Sequence, residues 1–271
     1  MVGFFYGCST HSEACKAQEA NMFLFPQQEK FVRQVGTILE TFIESDCEIR
    51  PHFHVTGPSG SGKSYLIGKA CEEVGIKMIE INAAQLTAEG LSGNSLSKAL
   101  RPLREHWNMP NVIFVDEFDK LFQTNGEKTE NFRSQVQDEF LTCLESKYSS
   151  ILTDYGKYDP VRIDKSLFIF AGAYSNQKIN NISELRDAGM RTEFLGRVPL
   201  IFSTVEVTME DLRKQIKHVG LYQAYKRLRP ETKDADAVKG IAKILEQQNK
   251  DMNIGIRLLN TAIHLYFMGN V

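Results

Sequence analysis

Gly57-Pro58-Ser59-Gly60-Ser61-Gly62-Lys63-Ser64 reads G-x-x-x-x-G-K-[ST] in full, with the short apolar run Phe53-His54-Val55-Thr56 before it and the helix-compatible stretch Tyr65 to Val74 after it. Each residue type has a reason to be there. Glycines let the backbone wrap a phosphate, amide N–H groups and a helix N-terminus supply positive potential, the lysine reaches β- and γ-phosphate oxygens, and the closing hydroxyl holds Mg²⁺. Strand, glycine loop and helix in this order predict an α/β fold with residues 57 to 65 as nucleotide contacts.

The rest of the chain agrees with that order. Phe31, Val35, Ile38, Leu39 and Phe42 recur at helical spacing after Pro26, predicting a helix over about Gln27 to Ser45. Further strands are expected at Ile76 to Ile81, Asn111 to Val115, Leu167 to Ala171 and Pro199 to Val205. Between them, Leu96, Ala99, Leu100 and Leu103 suggest a helix with Pro102 in conflict, and Phe132, Val136, Phe140, Leu141 and Leu144 suggest another. Alternating strands and helices imply a parallel five-stranded sheet covered on both faces. Past Val207 only helical stripes remain: Val238, Ile241, Ala242 and Leu245, then Leu258, Leu259, Ala262, Ile263 and Tyr266. The expected organisation is an arm over 1–22, an α/β core over 23–206 and a small helical domain over 207–271.

Composition narrows the partners. The formal charge is 32 − 34 = −2, which leaves no basic footprint, so nucleic acid is not indicated. No apolar run approaches the roughly 18 residues of a membrane span, and no membrane association is expected. Five widely spaced cysteines in a chain of 271 residues suggest reduced thiols in the cytoplasm.

A second motif completes the first. Val112-Ile113-Phe114-Val115-Asp116-Glu117 ends an apolar strand in two carboxylates, where a P-loop fold needs a second Mg²⁺ contact and a group that orients the attacking water. Asp116 takes the metal beside Ser64, and Glu117 takes the water.

With these residues in place the chain resembles the AAA+ ATPases, and its local wording resembles the ClpX branch. Val115-Asp116-Glu117-Phe118-Asp119-Lys120 is similar to that family's Walker B run, and Phe25-Pro26-Gln27-Gln28-Glu29 loosely to its adenine-side box. Arg162 to Lys165 through Phe170 to Tyr174 resembles its fourth strand, Glu193 to Pro199 its arginine-finger segment, and Gly255-Ile256-Arg257 its sensor 2. The resemblance implies ATP and Mg²⁺ as cofactors, a site between the core and a helical lid, and a homo-oligomeric ring, six subunits being the family expectation. Within it, Lys63 and Glu117 serve catalysis, Arg197 reaches a neighbour's γ-phosphate, Arg257 contacts phosphate from the lid, and Ser175 or Asn176 supplies the sensor-1 group. Arg191 or Arg186 lies close enough to be confused with Arg197.

Three departures bear on function. Gly90-Leu91-Ser92-Gly93 stands where ClpX-like unfoldases carry an aromatic pore loop, making Leu91 the expected substrate contact. Only a few residues separate Asn176 from Leu185, where such rings carry a long ClpP-docking insertion, so coupling to ClpP is not expected. No amino-terminal zinc-binding domain of that family is expected, and Cys8, His11 and Cys15 read as an incomplete ligand set in an arm. Tyr148, Tyr155 and Tyr158, in the segment from Lys147 to Asp159 where the family places its second pore loop, suit either a polypeptide or a neighbouring subunit. The expected function is an ATP-hydrolysing ring subunit that remodels an unknown protein substrate. The alternative is a nucleotide-switched assembly or loading factor acting on a partner complex, with DNA as one setting, and a metabolic P-loop kinase comes third.

Overall fold

The computed structural model describes residues 24, 26–88, 93–106, 108–122, 127–153, 156–176, 179–205, 207–249 and 255–269. The expectations for the arm, Cys8, His11, Cys15, Leu91 and Tyr155 fall outside them. Two compact units are present, one over Gln28–Val205 and one holding the residues from 207 onward.

The larger unit is built on a parallel sheet of β1 (Phe53–Thr56), β2 (Lys77–Asn82), β3 (Asn111–Asp116), β6 (Ser166–Gly172) and β7 (Leu200–Ser203), in the order β2-β3-β6-β1-β7. Every residue of β1 and β6 is buried, as expected of central strands covered on both faces, whereas β7 lies at an edge and keeps Leu200 exposed. Helices α1 (Pro26–Glu44), α2 (Lys63–Val74) and α5 (Glu127–Glu145) accompany the sheet.

The order places the loop-bearing strand and the acid-bearing strand on either side of β6. Thr56 pairs with Gly172 and Val115 with Phe170, so all three strands end at one level. In an open α/β sheet, that carboxyl edge is where ligands bind.

One expectation needs correction, and one pair of strands was not anticipated. The helix expected over Leu96 to Leu103 is two single turns, α3 (Leu96–Ala99) and α4 (Leu103–His106). Pro102 has no N–H to donate and disfavours the helical region for Arg101, so the interruption is a break and not a kink. The segment after α5, to which the sequence assigned no element, is an antiparallel hairpin of β4 (Tyr148–Leu152) and β5 (Tyr158–Arg162). Only Ile151 and Val161 reach the core, and Pro160 stands opposite Ser150, so the alternation that signals a strand was too thin to see. Tyr148 and Tyr158 are 55% and 53% exposed.

The core beneath the site is rich in phenylalanine. Phe118 and Phe170 approach to 4.6 Å between centroids, Phe118 and Phe194 to 5.1 Å, and Phe170 and Phe194 to 5.0 Å. His54 of β1 is fully buried against all three, and burial pushes its pKa down to about 3. His52 is lowered to about 3 chiefly by burial and next by the Arg50 charge, and its Nδ1 accepts from Phe168 N at 3.0 Å, which requires the neutral ring.

These imidazoles set an acid limit. A histidine whose native pKa lies below its unfolded value of about 6.5 stabilises the fold fully above that pH and loses the contribution as pH falls towards the native pKa. At pH 5 the loss is about 2 kcal/mol per ring. The unfolding midpoint of the parent is expected to drop several degrees between pH 7.5 and 5.0, and His54→Phe should show a smaller drop. An unchanged midpoint in the parent would show that both rings take up protons in the native state.

The smaller unit is helical: α8 (Met209–Gln215), α9 (Gly220–Leu228), α10 (Asp234–Asn249) and α11 (Ile256–Met268). Its core gathers Leu212, Ile216, Tyr222, Ile241, Leu245, Leu259, Ile263 and Phe267. A capping box between Thr208 and Asp211 starts α8, Tyr225 stacks on Phe267 at 4.7 Å, and Tyr222 Oη donates to Asp234 at 3.0 Å.

Candidate nucleotide site

Residues 57 to 62 join β1 to α2. Gly57, Gly60 and Gly62 have φ of 146°, 77° and 85°, which turn successive amides inward over the N-terminus of α2. A Cβ at Gly57 would overlap Thr204 Oγ1, because the end of β7 forms the floor of the loop. Thr204 donates its N–H and its hydroxyl to Thr56 O at 2.8 and 3.2 Å, and Ser61 Oγ bonds Thr204 Oγ1 at 2.7 Å. Thr56 Oγ1 in turn donates to Ile179 O at 2.9 Å. Lys63 is buried, and its ammonium donates to Gly57 O at 2.8 Å and Pro58 O at 3.0 Å. A cation held inside such a loop faces the position where β- and γ-phosphate oxygens would lie.

Ser64 and Asp116 meet. Ser64 Oγ donates to Asp116 Oδ2 at 2.9 Å, joining the two motifs at one point, while Asp116 Oδ1 accepts from Glu117 N at 2.8 Å. That second bond holds Glu117 in a left-handed conformation, φ 54° and ψ 31°, which is strained for a side chain of this type. Glu117 is exposed just past the strand. A hydroxyl and a carboxylate oxygen side by side are hard ligands that suit Mg²⁺, which takes one or two protein groups and completes its shell with phosphates and water. No group of three or more His, Cys, Asp or Glu among the described residues could hold a metal ion.

The end of β6 lies between these motifs. It runs into the turn Tyr174–Asn176, where Tyr174 and Ser175 have φ of 46° and 55° and Ser175 is exposed. Tyr65 is half-buried on α2, with its pKa raised by burial and then by Glu72 and Glu73. Glu80 on β2 has its carboxyl raised by burial and next by the charge of Asp116.

Arg197 ends α7 (Thr192–Arg197) and is exposed. It pairs with Glu145 of α5 and donates to Glu193 O at 2.9 Å, its side chain 40% exposed and that of Glu145 52%. Arg191 pairs with Asp138 and lies 3.6 Å from Glu193. Arg257 is exposed near the start of α11, in the other unit. On either side of residues 89–92, Leu86 bridges Asn94, and Thr87 N donates to Asn94 O at 2.9 Å.

Two residues of the site escaped the sequence reading. Asp119 was visible only as part of the Walker B run, although its carboxylate holds the β6 turn. Thr204 had no signal at all, since its place beneath the loop follows from the pairing of β7 with β1.

A parallel sheet with a phosphate-type loop after one strand, paired acids after another and a polar turn between them defines a P-loop nucleotide-binding core. Residues 53–215, more than half of the chain, match the ATPase family associated with various cellular activities (AAA), and the chain belongs to that family. Among its relatives is the ATP-dependent protease ATPase subunit HslU of Caldicellulosiruptor saccharolyticus, 32% identical over 161 residues, covering 56% of this chain and 32% of that protein. The HslU of Persephonella marina is 32% identical over 161 residues, covering 56% of this chain and 33% of its own length. The ATP-dependent Clp protease ATP-binding subunit ClpX of Treponema denticola is 25% identical over 280 residues, covering 83% of this chain and 66% of that protein. The chain thus spans about a third of the HslU subunits it matches and 66% of this ClpX. Kinship with ClpX agrees with the resemblance stated above. No described helix is long and apolar enough to cross a membrane.

Proposed function

We propose that the protein is an ATP-hydrolysing subunit of a ring that remodels a protein partner, and that it works in the cytoplasm. The observation that carries the ATPase reading is the 2.9 Å bond between Ser64 and Asp116, which brings the loop and the acid pair to one point with Glu117 adjoining. Lys63 and the loop amides bind and orient the phosphates, Ser64 and Asp116 hold Mg²⁺, and Glu117 polarises the attacking water. Bound there, Mg²⁺ would offset charge on the β- and γ-phosphate oxygens. Residues 57 to 62, Tyr65 and the Ser175-Asn176 turn complete the nucleotide contacts on this unit.

Arg197 is the group assigned to the neighbour's site. Its present partner supports that role, because an ion pair exposed on both sides contributes at most about 1 kcal/mol, so the guanidinium can be released to a phosphate at little cost. The role of Arg257 as sensor 2 rests on the Gly255-Ile256-Arg257 segment, and that of Leu91 as the substrate contact on the Gly90 to Gly93 segment. A short connection from Asn176 to α6 (Ile182–Asp187), only five residues, supports the reading that this ring does not engage ClpP.

Mixing subunits tests the shared site. Arg197→Ala and Lys63→Ala chains should each be inactive alone. A mixture should recover a measurable part of the parental ATP turnover, because some interfaces then join an intact Lys63 to an intact Arg197. A parent that is monomeric by light scattering and fully active at every concentration would overturn the ring, and a mixture that assembles without recovering turnover would overturn the role of Arg197.

A further inference from the structure

Asp119 stands two residues beyond Glu117, in the turn Phe118–Leu121, and is 4% exposed. A carboxylate buried this deeply needs donors, and it finds them on another strand. Oδ1 accepts from Ala173 N at 3.2 Å and Oδ2 from Tyr174 N at 3.1 Å, the first two amides past the end of β6. Those amides open the turn in which Tyr174 and Ser175 are both left-handed, a conformation costing on the order of 1–3 kcal/mol per residue unless its surroundings impose it.

The approach is shaped for this contact. A Cβ at Gly172 would lie 2.9 Å from Asp119 Oδ1 and 2.8 Å from the Tyr174 ring, so only glycine lets the carboxylate come alongside. On its own side, Asp119 follows Glu117, whose backbone is left-handed and fixed through Asp116. Three strained residues, Glu117, Tyr174 and Ser175, therefore meet across one carboxylate.

We propose that Asp119 is a positioning residue, a clamp that locks the Ser175-Asn176 turn to the turn of Glu117, so that the polar group meeting the γ-phosphate and the base acting on water share one geometry. This rests on the ATPase reading above. Asp119 touches neither nucleotide nor water in this scheme; it acts through the backbone of its two partners. A shift of about 1 Å at such a site costs on the order of a hundredfold in rate while leaving most binding contacts in place.

Asp119→Asn is the sharpest probe, because the amide keeps one acceptor oxygen but turns an N–H₂ towards the other backbone donor. The expected result is a fall in kcat of tenfold or more, nucleotide Kd within about twofold of the parent, and amide hydrogen exchange accelerated at Ala173 and Tyr174 but not at Ile169 or Phe170. Gly172→Ala, which displaces the same carboxylate without changing a charge, should give the same pattern. Unchanged exchange at Ala173 and Tyr174, or protection lost across the whole sheet together with nucleotide affinity, would overturn the clamp. If the parent itself does not hydrolyse ATP, it is the ATPase reading that fails, and exchange at these two amides still decides whether the clamp exists.

Discussion

Lys63→Ala is expected to lose nucleotide affinity by a hundredfold or more. The buried ammonium is the one side-chain cation inside the loop, and each charge-assisted bond to a phosphate oxygen contributes about 1.5–3 kcal/mol. Two such bonds amount to about two to four decades in Kd. In the structure the same ammonium ties Gly57 O and Pro58 O together, so the substitution also loosens the loop that presents the amides. Titration calorimetry with ATP and Mg²⁺ checks the expectation, and Lys63→Met, which keeps the aliphatic stem, separates lost charge from lost packing. Near-parental affinity in both variants would show that phosphate does not enter this loop.

Glu117→Gln should behave in the opposite way, keeping ATP affinity and losing turnover. Glutamine has the same length and can hold the same left-handed backbone, and the bond from residue 117 N to Asp116 Oδ1 does not involve the side chain. What disappears is the proton acceptor, a loss that typically reduces rate by about 10² to 10⁴. Single-turnover hydrolysis beside equilibrium binding measures the two quantities separately. The same variant, loaded with ATP and recovered by affinity capture, should retain whatever protein the ring acts on. Parental turnover in Glu117→Gln would remove this residue from the mechanism.

How much of this could be read from the chain depended on how local each signal was. Gly57 to Ser64 and Val112 to Glu117 are contiguous, and their chemistry fixes residue types at fixed offsets, so both motifs and the strands carrying them were legible. The strands β1, β3 and β6 were legible for a related reason, since a parallel strand covered on both faces is apolar along most of its length, and β2 showed through its alternation. The β4–β5 hairpin was not, because only Ile151 and Val161 face inward and the other positions carry mixed residues. Pro102 announced a conflict without saying whether the helix would bend or end. The partner of Arg197 was equally unreadable, since Glu145 comes beside it only through the packing of α5 against α7. Asp119 and Thr204 belong to this last kind, each meeting its partners more than fifty residues away in the chain.

The Thr204 floor also sets a timetable. Ser61 and Thr204 are 143 residues apart, so the phosphate loop is translated long before the strand that supports it. A ribosome that has released the chain only as far as α7 has exported every residue of the loop, Lys63 included, yet not Thr204, which bonds Ser61 and Thr56 from beneath. The nascent chain should therefore remain unable to hold nucleotide until β7 emerges, and ATP, by binding only the finished unit, would favour the folded form once Thr204 has left the ribosome.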